Sequence, residues 1–322
     1  MEYTNLGRSG LKVSRICLGT MNFGAHTTES DSFKIMDVAL EQGINFFDTA
    51  NVYGPKFGEG ITEQIIGRWL SQNGQRDKIV LATKCYGEMG NGVNERGLSA
   101  YHIRKACEDS LKRLKTDHID LYQMHHVDRN TPWEEIWQAM EQLVREGKVL
   151  YTGSSNFAAI DIVEAHYEAK KRNFMGMISE QSLYNLNART IELEMVPACK
   201  KFGLGILPWS PLGSGLLGGV LGKAKTVRRN EEPIQKAIEK HRDQIERYEN
   251  LCKSMGEEPA NVSLAWLLKN PIVTAPIIGP RTKEQLQGSM RSLDIELNDE
   301  VMKKIDEIWP GPGGHAPEAY AW

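Results

Sequence analysis

Long apolar runs are missing from this chain. No stretch reaches the roughly eighteen residues that a membrane-spanning helix needs, and the opening MEYTNLGRSG has no hydrophobic signal core. Paired cysteines are missing too: the five cysteines, at 17, 85, 107, 199 and 252, are scattered, odd in number and never spaced CxxC. That pattern argues against a disulfide framework or a zinc ribbon and suits a reducing, cytoplasmic setting. An excess of one charge is also absent. With 39 Lys plus Arg against 42 Asp plus Glu, both signs are interspersed and the net charge is −3. Neither nucleic acid nor an anionic membrane is therefore expected as the main partner. There is no internal repeat and no low-complexity tract; an oligomer is allowed.

What is present is an alternation. At 322 residues the chain could hold two domains, but α/β barrels often run to this length as one. Eight near-continuous Val/Ile/Leu/Phe runs, at 15–19, 44–48, 78–83, 118–124, 149–153, 176–181, 204–208 and 273–278, read as strands buried on both faces. Helical patterns lie between them. Residues 30–42 carry apolar side chains on one face and end at Gly43; 99–115 opens with Ser99 as a cap; 132–145 opens with Thr131 as a cap and Pro132 in the first turn. The expectation is one domain, 1–322: a single (β/α)₈ TIM barrel with a parallel sheet. Residues 6–13 should form an N-terminal β-hairpin around Ser9-Gly10. A long loop and helix insertion, 211–272, should separate strands seven and eight and supply a flap over the active end.

Polar residues stand where these runs end. INFFDTA closes with Asp48, Tyr53 follows five residues on, KIVLATK closes with Lys84, and HIDLYQMH closes with His125. The downstream ends of barrel strands share one rim, so these four side chains can converge. A tyrosine hydroxyl titrates near 10, too high for easy proton donation at neutral pH. A lysine ammonium beside it lowers that value, and an aspartate keeps the lysine charged and fixed. The histidine can hydrogen-bond a substrate oxygen or pass the proton along. Such a set protonates or deprotonates an oxygen while hydride moves at its carbon, and because none of the four is a hydride source, a nicotinamide cofactor is required.

Those ordered motifs, running from the N-terminal hairpin through the last barrel helix, resemble the aldo-keto reductases. In that family's pattern GINFFDTANVYG carries Asp48 and the catalytic Tyr53, LATK carries Lys84, and DLYQMH carries His125. The resemblance implies NADPH-dependent, reversible reduction of an aldehyde or ketone, with NADH possible. It implies that Ser155 and Asn156 of GSSNF, with Gln181, hold the nicotinamide carboxamide, and that Trp209 stacks on the ring. Ser210, Leu212, Ser214 and Gly215 match the pyrophosphate loop, and Gly279, Arg281 and Gln285 the adenosine-phosphate site. Gly19, Thr20, Met21 and Asp48 are further implied cofactor contacts. Pocket walls would come from Met21, Phe23, Tyr86, His126 and the C-terminal tail. The ending PGPGGHAPEAYAW is similar to that of a subset of bacterial members, which bears on substrate rather than chemistry.

Plainer readings stand beside each of these. Asp48 could be an ordinary cap and Tyr53 a packed aromatic, whereas a semi-buried Lys84 needs a partner. His125-His126 could be metal ligands with Asp48, Asp120 or Asp128 in a hydrolase, but strand alternation should point adjacent residues to opposite faces, so no metal is expected. Asp120 reads as structural and Cys85 as a small buried residue. Gly213-Ser214-Gly215-Leu216-Leu217-Gly218 spells GxGxxG after a strand, yet no acid-ended strand follows about 20 residues on, so it reads as a loop closing over a pyrophosphate. Thr282 to Gln285 also fits a capping box. The basic cluster from Lys223 to Arg229 is a solvated loop or a phosphate contact. A redox-sensing subunit of the potassium-channel β type is the alternative function.

Overall fold

The computed structural model describes residues 1–222 and 232–319, so the basic cluster from Lys223 to Arg229 lies outside the described residues. Strands β1 (Tyr3–Asn5) and β2 (Lys12–Ser14) pair antiparallel, which is the hairpin read from the sequence. Their loop is closed by Leu6 N–H to the Leu11 carbonyl and by the Ser9 hydroxyl to the Leu6 carbonyl. Gly7 has φ +54°, and a Cβ there would lie 2.1 Å from the Ile178 carbonyl oxygen, so only glycine fits. Through that contact Leu6 and Val13 join Cys17, Phe46, Leu121, Ile178 and Leu207 in one buried cluster, and the hairpin plugs the barrel floor.

All eight expected strands form. They are β3 (Cys17–Gly19), β4 (Phe46–Asp48), β5 (Val80–Cys85), β6 (Ile119–Met124), β7 (Val149–Ser155), β8 (Met177–Leu183), β9 (Gly205–Trp209) and β10 (Ile277–Ile278). They lie parallel in the order β10-β3-β4-β5-β6-β7-β8-β9, and a bridge between Ile206 and Val273 draws the two edges together into a nearly closed barrel. Phe46, Ala82 and Leu121 turn inward, while Phe47, Leu81 and Tyr122 pack outward against the helices. Burial on both faces is why the strands read as unbroken apolar runs.

Six helices alternate with the first seven strands: α1 (Glu29–Glu41), α2 (Ile61–Asn73), α3 (Ala100–Leu114), α4 (Trp133–Arg145), α5 (Ala159–Lys171) and α6 (Met195–Phe202). Ser99 caps α3 by accepting from His102 N–H. Gly43, with φ +80°, follows α1 and bonds back to Leu40. The start of α4 differs from expectation. Pro132 is itself the cap residue, with no side-chain bond to the helix, because the Thr131 hydroxyl donates to Asp128 instead. The insertion contributes α7 (Glu232–Lys240), α8 (Arg242–Ser254) and α9 (Pro259–Lys269), the charged run breaking at His241. After β10 come α10 (Lys283–Ser289), which sends Leu286 into the main core, and α11 (Asp299–Ile308), which with α8 and α9 builds a satellite core around Tyr248, Trp266, Leu267 and Trp309. No helix among the described residues is long and apolar enough to cross a membrane.

Candidate active site

Inward-facing columns of β4, β5, β6 and β8 begin apolar on the barrel floor and end polar at the rim. In β4 the column runs Phe46 to Asp48, in β5 Val80 and Ala82 to Lys84, in β6 Leu121 to Gln123. Lys84 Nζ, fully buried, donates to Asp48 Oδ2 at 2.6 Å, to the Thr49 carbonyl at 2.9 Å and to Tyr53 Oη at 3.2 Å. An ammonium has three donors, and each has an acceptor. The Asp48 Oδ1 accepts from Gln123 Nε2 at 3.0 Å and Gln181 Nε2 at 2.9 Å. Buried ions are tolerated only when paired and hydrogen-bonded in this way. Burial alone would depress the Lys84 ammonium, but Asp48 and Tyr53 outweigh it and leave the group raised, hence charged.

The structure corrects two parts of the sequence reading. Tyr53 is not lowered: burial pushes its hydroxyl up further than Lys84 pulls it down, so it stays protonated at neutral pH. His125 lies edge-on to Tyr53, with ring centroids 6.0 Å apart, and burial with repulsion from Lys84 and His126 takes it down to about 3. It is a neutral imidazole, able to give or take a hydrogen bond and not to act as an imidazolium relay. The alternation argument against a paired-histidine site also fails. Strand β6 ends at Met124, and the rings of His125 and His126 stack 5.9 Å apart on one side. Even so, no group of three or more His, Cys, Asp or Glu among the described residues could hold a metal.

Asp120 and Cys85 are structural as read. Asp120 accepts from Leu81 N–H and pairs with Arg76 at 2.8 Å, and burial pushes the Cys85 thiol up to about 12. All five cysteines are buried and free. Two residues were missed. Gln123 holds Asp48, and its signal was the one polar side chain on the inward face of β6. Glu180, beside Gln181 on β8, is fully buried and accepts from the Ser154 and Ser182 hydroxyls and Phe157 N–H. Burial raises it to about 7.

The turn after β7 brings the carboxamide-site residues together. Ser155 Oγ and Asn156 N–H both donate to the Gln181 carbonyl, Asn156 Nδ2 donates to Ser155 Oγ, and Asn156 Oδ1 accepts from Trp209 Nε1 at 3.0 Å. Asn156 holds φ +60°, which the turn requires. A nicotinamide end fits here: Gln181 Nε2 is committed to Asp48 and Gln123, which turns its Oε1 into an acceptor that no described residue uses. Trp209 is half-buried with its N–H already tied down. The phosphate end fits less directly. The amides of Gly213, Ser214, Gly215, Leu216, Leu217 and Gly218 donate to Ser210, Leu212, Gly213 and Gly215 within the same loop. Arg281 N–H and Gln285 N–H are likewise spent on Gln285 Oε1 and the Thr282 hydroxyl, so Thr282 caps α10 and the Gln285 side chain reaches back to the residue ahead of the cap.

The remaining positions divide. Thr20 is buried, with both N–H and hydroxyl on the Asp48 carbonyl, and Met21 is half-exposed on the rim. Gly19 is explained by packing, since a Cβ would meet Ile277 at 2.6 Å. The Gly279 carbonyl accepts from Asn22 Nδ2. Tyr86 and His126 adjoin, with ring centroids 5.6 Å apart. Phe23 does not stand on an open wall: it is fully buried in the main core, with its carbonyl bound by Thr62.

A barrel rim that gathers a buried Asp–Lys pair, a tyrosine and a histidine is a candidate active site, and known sequences say what class of protein carries it. The profile of the aldo/keto reductase family matches residues 15–310. The chain is 56% identical to the Bacillus subtilis oxidoreductase YrpG over all of both chains. It is 34% identical to the versiconal hemiacetal acetate reductase of Aspergillus parasiticus, covering 99% of this chain and 100% of that one. It is 32% identical to a probable voltage-gated potassium channel subunit beta of Oryza sativa subsp. japonica, covering 96% of each. The protein therefore belongs to the aldo/keto reductase family, whose members generally use nicotinamide cofactors.

Proposed function

We propose that this oxidoreductase reduces an aldehyde or ketone to the alcohol with NADPH, reversibly, and that Tyr53 is the proton donor. The observation that carries the reading is the 3.2 Å contact between the Tyr53 hydroxyl and a fully buried, Asp48-paired Lys84 ammonium. Reduced nicotinamide, when bound, supplies the hydride. Tyr53, kept neutral by burial, hands its proton to the oxygen as charge develops there, and Lys84 stabilises the phenolate left behind. Asp48 keeps Lys84 charged and fixed. The neutral His125 orients the carbonyl by a hydrogen bond. In alcohol oxidation the same proton returns to Tyr53.

Ser155, Asn156 and Gln181 would hold the carboxamide, and Trp209 the ring face. Ser210, Leu212, Ser214 and Gly215 would meet the pyrophosphate, which requires the loop to release some of its internal bonds. A guanidinium at Arg281 suits the 2′-phosphate that separates NADPH from NADH. The test is NADPH consumption across a broad carbonyl panel, with alcohol formed in equal amount. No consumption with any member would reject the reading. The rice relative favours a second reading, a nicotinamide-bound redox sensor. That one predicts slow single-turnover oxidation of bound cofactor in place of steady turnover.

A further inference from the structure

The loop between β5 and α3 turns back on itself, with Gly97 N–H bonded to the Tyr86 carbonyl at 2.8 Å. That closure sets Arg96 over Tyr86, its Cζ 5.9 Å from the ring centroid. Four rings then run from the proposed proton donor to this cation. Tyr53 meets His125 at 6.0 Å, His125 meets His126 at 5.9 Å, and His126 meets Tyr86 at 5.6 Å. Arg96 is exposed, and among the described residues no carboxylate pairs with it. Two acids share its loop and neither takes it: Glu95 folds back on Gly92 N–H, and the exposed Glu88 makes no ion pair with it. An exposed cation–π contact is weak, so the ring alone does not account for a guanidinium held there without an anion.

We propose that Arg96 is a specificity-determining residue that binds an anionic group, a carboxylate in the simplest case, on the far end of an aromatic carbonyl substrate. The half-buried Tyr86 and the exposed His126 line one side of that substrate's ring, and the guanidinium fork takes the carboxylate, which its planar pair of N–H donors matches. This rests on the carbonyl-reductase reading and names its substrate class.

The test compares 4-formylbenzoate with its neutral methyl ester, each with NADPH at low ionic strength, in the wild type, Arg96→Met and Arg96→Lys. Methionine keeps an aliphatic stem over Tyr86 and removes the charge. The wild type should favour the acid in kcat/KM by about tenfold, the scale of a charge-assisted hydrogen bond. Arg96→Met should erase that preference through the acid alone, leaving the ester within about twofold, and Arg96→Lys should retain part of it. Equal use of acid and ester by the wild type, unchanged in Arg96→Met, would overturn the inference while ester reduction upheld the reductase reading. Loss of both substrates together in Arg96→Met would also overturn it, as a loop-folding effect. Reduction of neither by the wild type would likewise overturn the inference, because the substrate class it names would not be used, while the reductase reading is decided by the broad carbonyl panel.

Discussion

Two sides of the barrel rim handle their polar groups in opposite ways. On the β4–β6 side, Asp48, Lys84, Tyr53 and Gln123 are locked together by buried and part-buried bonds of 2.6 to 3.2 Å. On the β9–β10 side, the 210–218 loop and the residues ahead of α10 spend their amides on one another. The first side is built around ions that cannot be left unpaired in a dry interior, so its geometry exists before anything binds. The second side consists of backbone donors at the surface, which can exchange an internal partner for a phosphate oxygen at modest cost. On the proposed function, chemistry is preorganised and cofactor capture is left to groups that can rearrange.

The largest expected effect comes from breaking the locked side. Lys84→Met strands the Asp48 carboxylate among amides, so it should cost about 3–5 kcal/mol of stability. Carbonyl reduction should fall roughly a thousandfold. Denaturant unfolding and steady-state kinetics read the two losses, and a stable, active variant would break the contrast between the sides.

Next is Glu180, whose carboxyl holds Phe157 N–H beside the carboxamide turn. Its folded pKa of about 7 lies above the ordinary 4.5, so the fold favours the neutral form. That stabilisation is fully present below about 4.5 and is lost as pH rises through about 7, on the order of 3 kcal/mol in all. Glu180→Gln is neutral at every pH and should gain stability relative to the wild type across that window. Thermal midpoints against pH for both proteins check this, and parallel curves would count against it.

On the adaptable side the effects are smaller. Arg281→Ala should weaken NADPH binding by about 1.5–3 kcal/mol and leave NADH almost untouched; equal losses would mean that Arg281 stacks on the cofactor and does not read its phosphate. Trp209→Ala should weaken binding by about 0.5–1.5 kcal/mol and remove much of the tryptophan quench. An unchanged quench would place the stacking residue elsewhere among the seven tryptophans.

The strands were legible because burial on both faces leaves a plain apolar run, and the meeting of Asp48, Tyr53, Lys84 and His125 at one rim because each stands at or just beyond the end of such a run. Gln123 and Glu180 were hidden for a related reason. Each lies inside a strand, and alternation alone does not say which face of a barrel is lined with polar partners. The direction of the Tyr53 shift was also beyond sequence, since it is the balance of burial against one ammonium. Extending strand alternation one residue too far mis-set His125 and His126, because β6 stops at Met124. The glycine loop was recognised as a loop, but its internal bonds follow from left-handed backbone at Ser210, Gly213, Ser214 and Gly215 that no spacing reveals.

The central claim is that Tyr53 donates the proton from a site assembled in advance, and Tyr53→Phe tests it most directly. Turnover of a carbonyl substrate and NADPH affinity, the latter from fluorescence, should be measured on the same preparation. Turnover should fall by about two to four orders of magnitude with affinity within about twofold of wild type, because only the proton donor is lost. Near-normal carbonyl reduction by Tyr53→Phe would contradict the account.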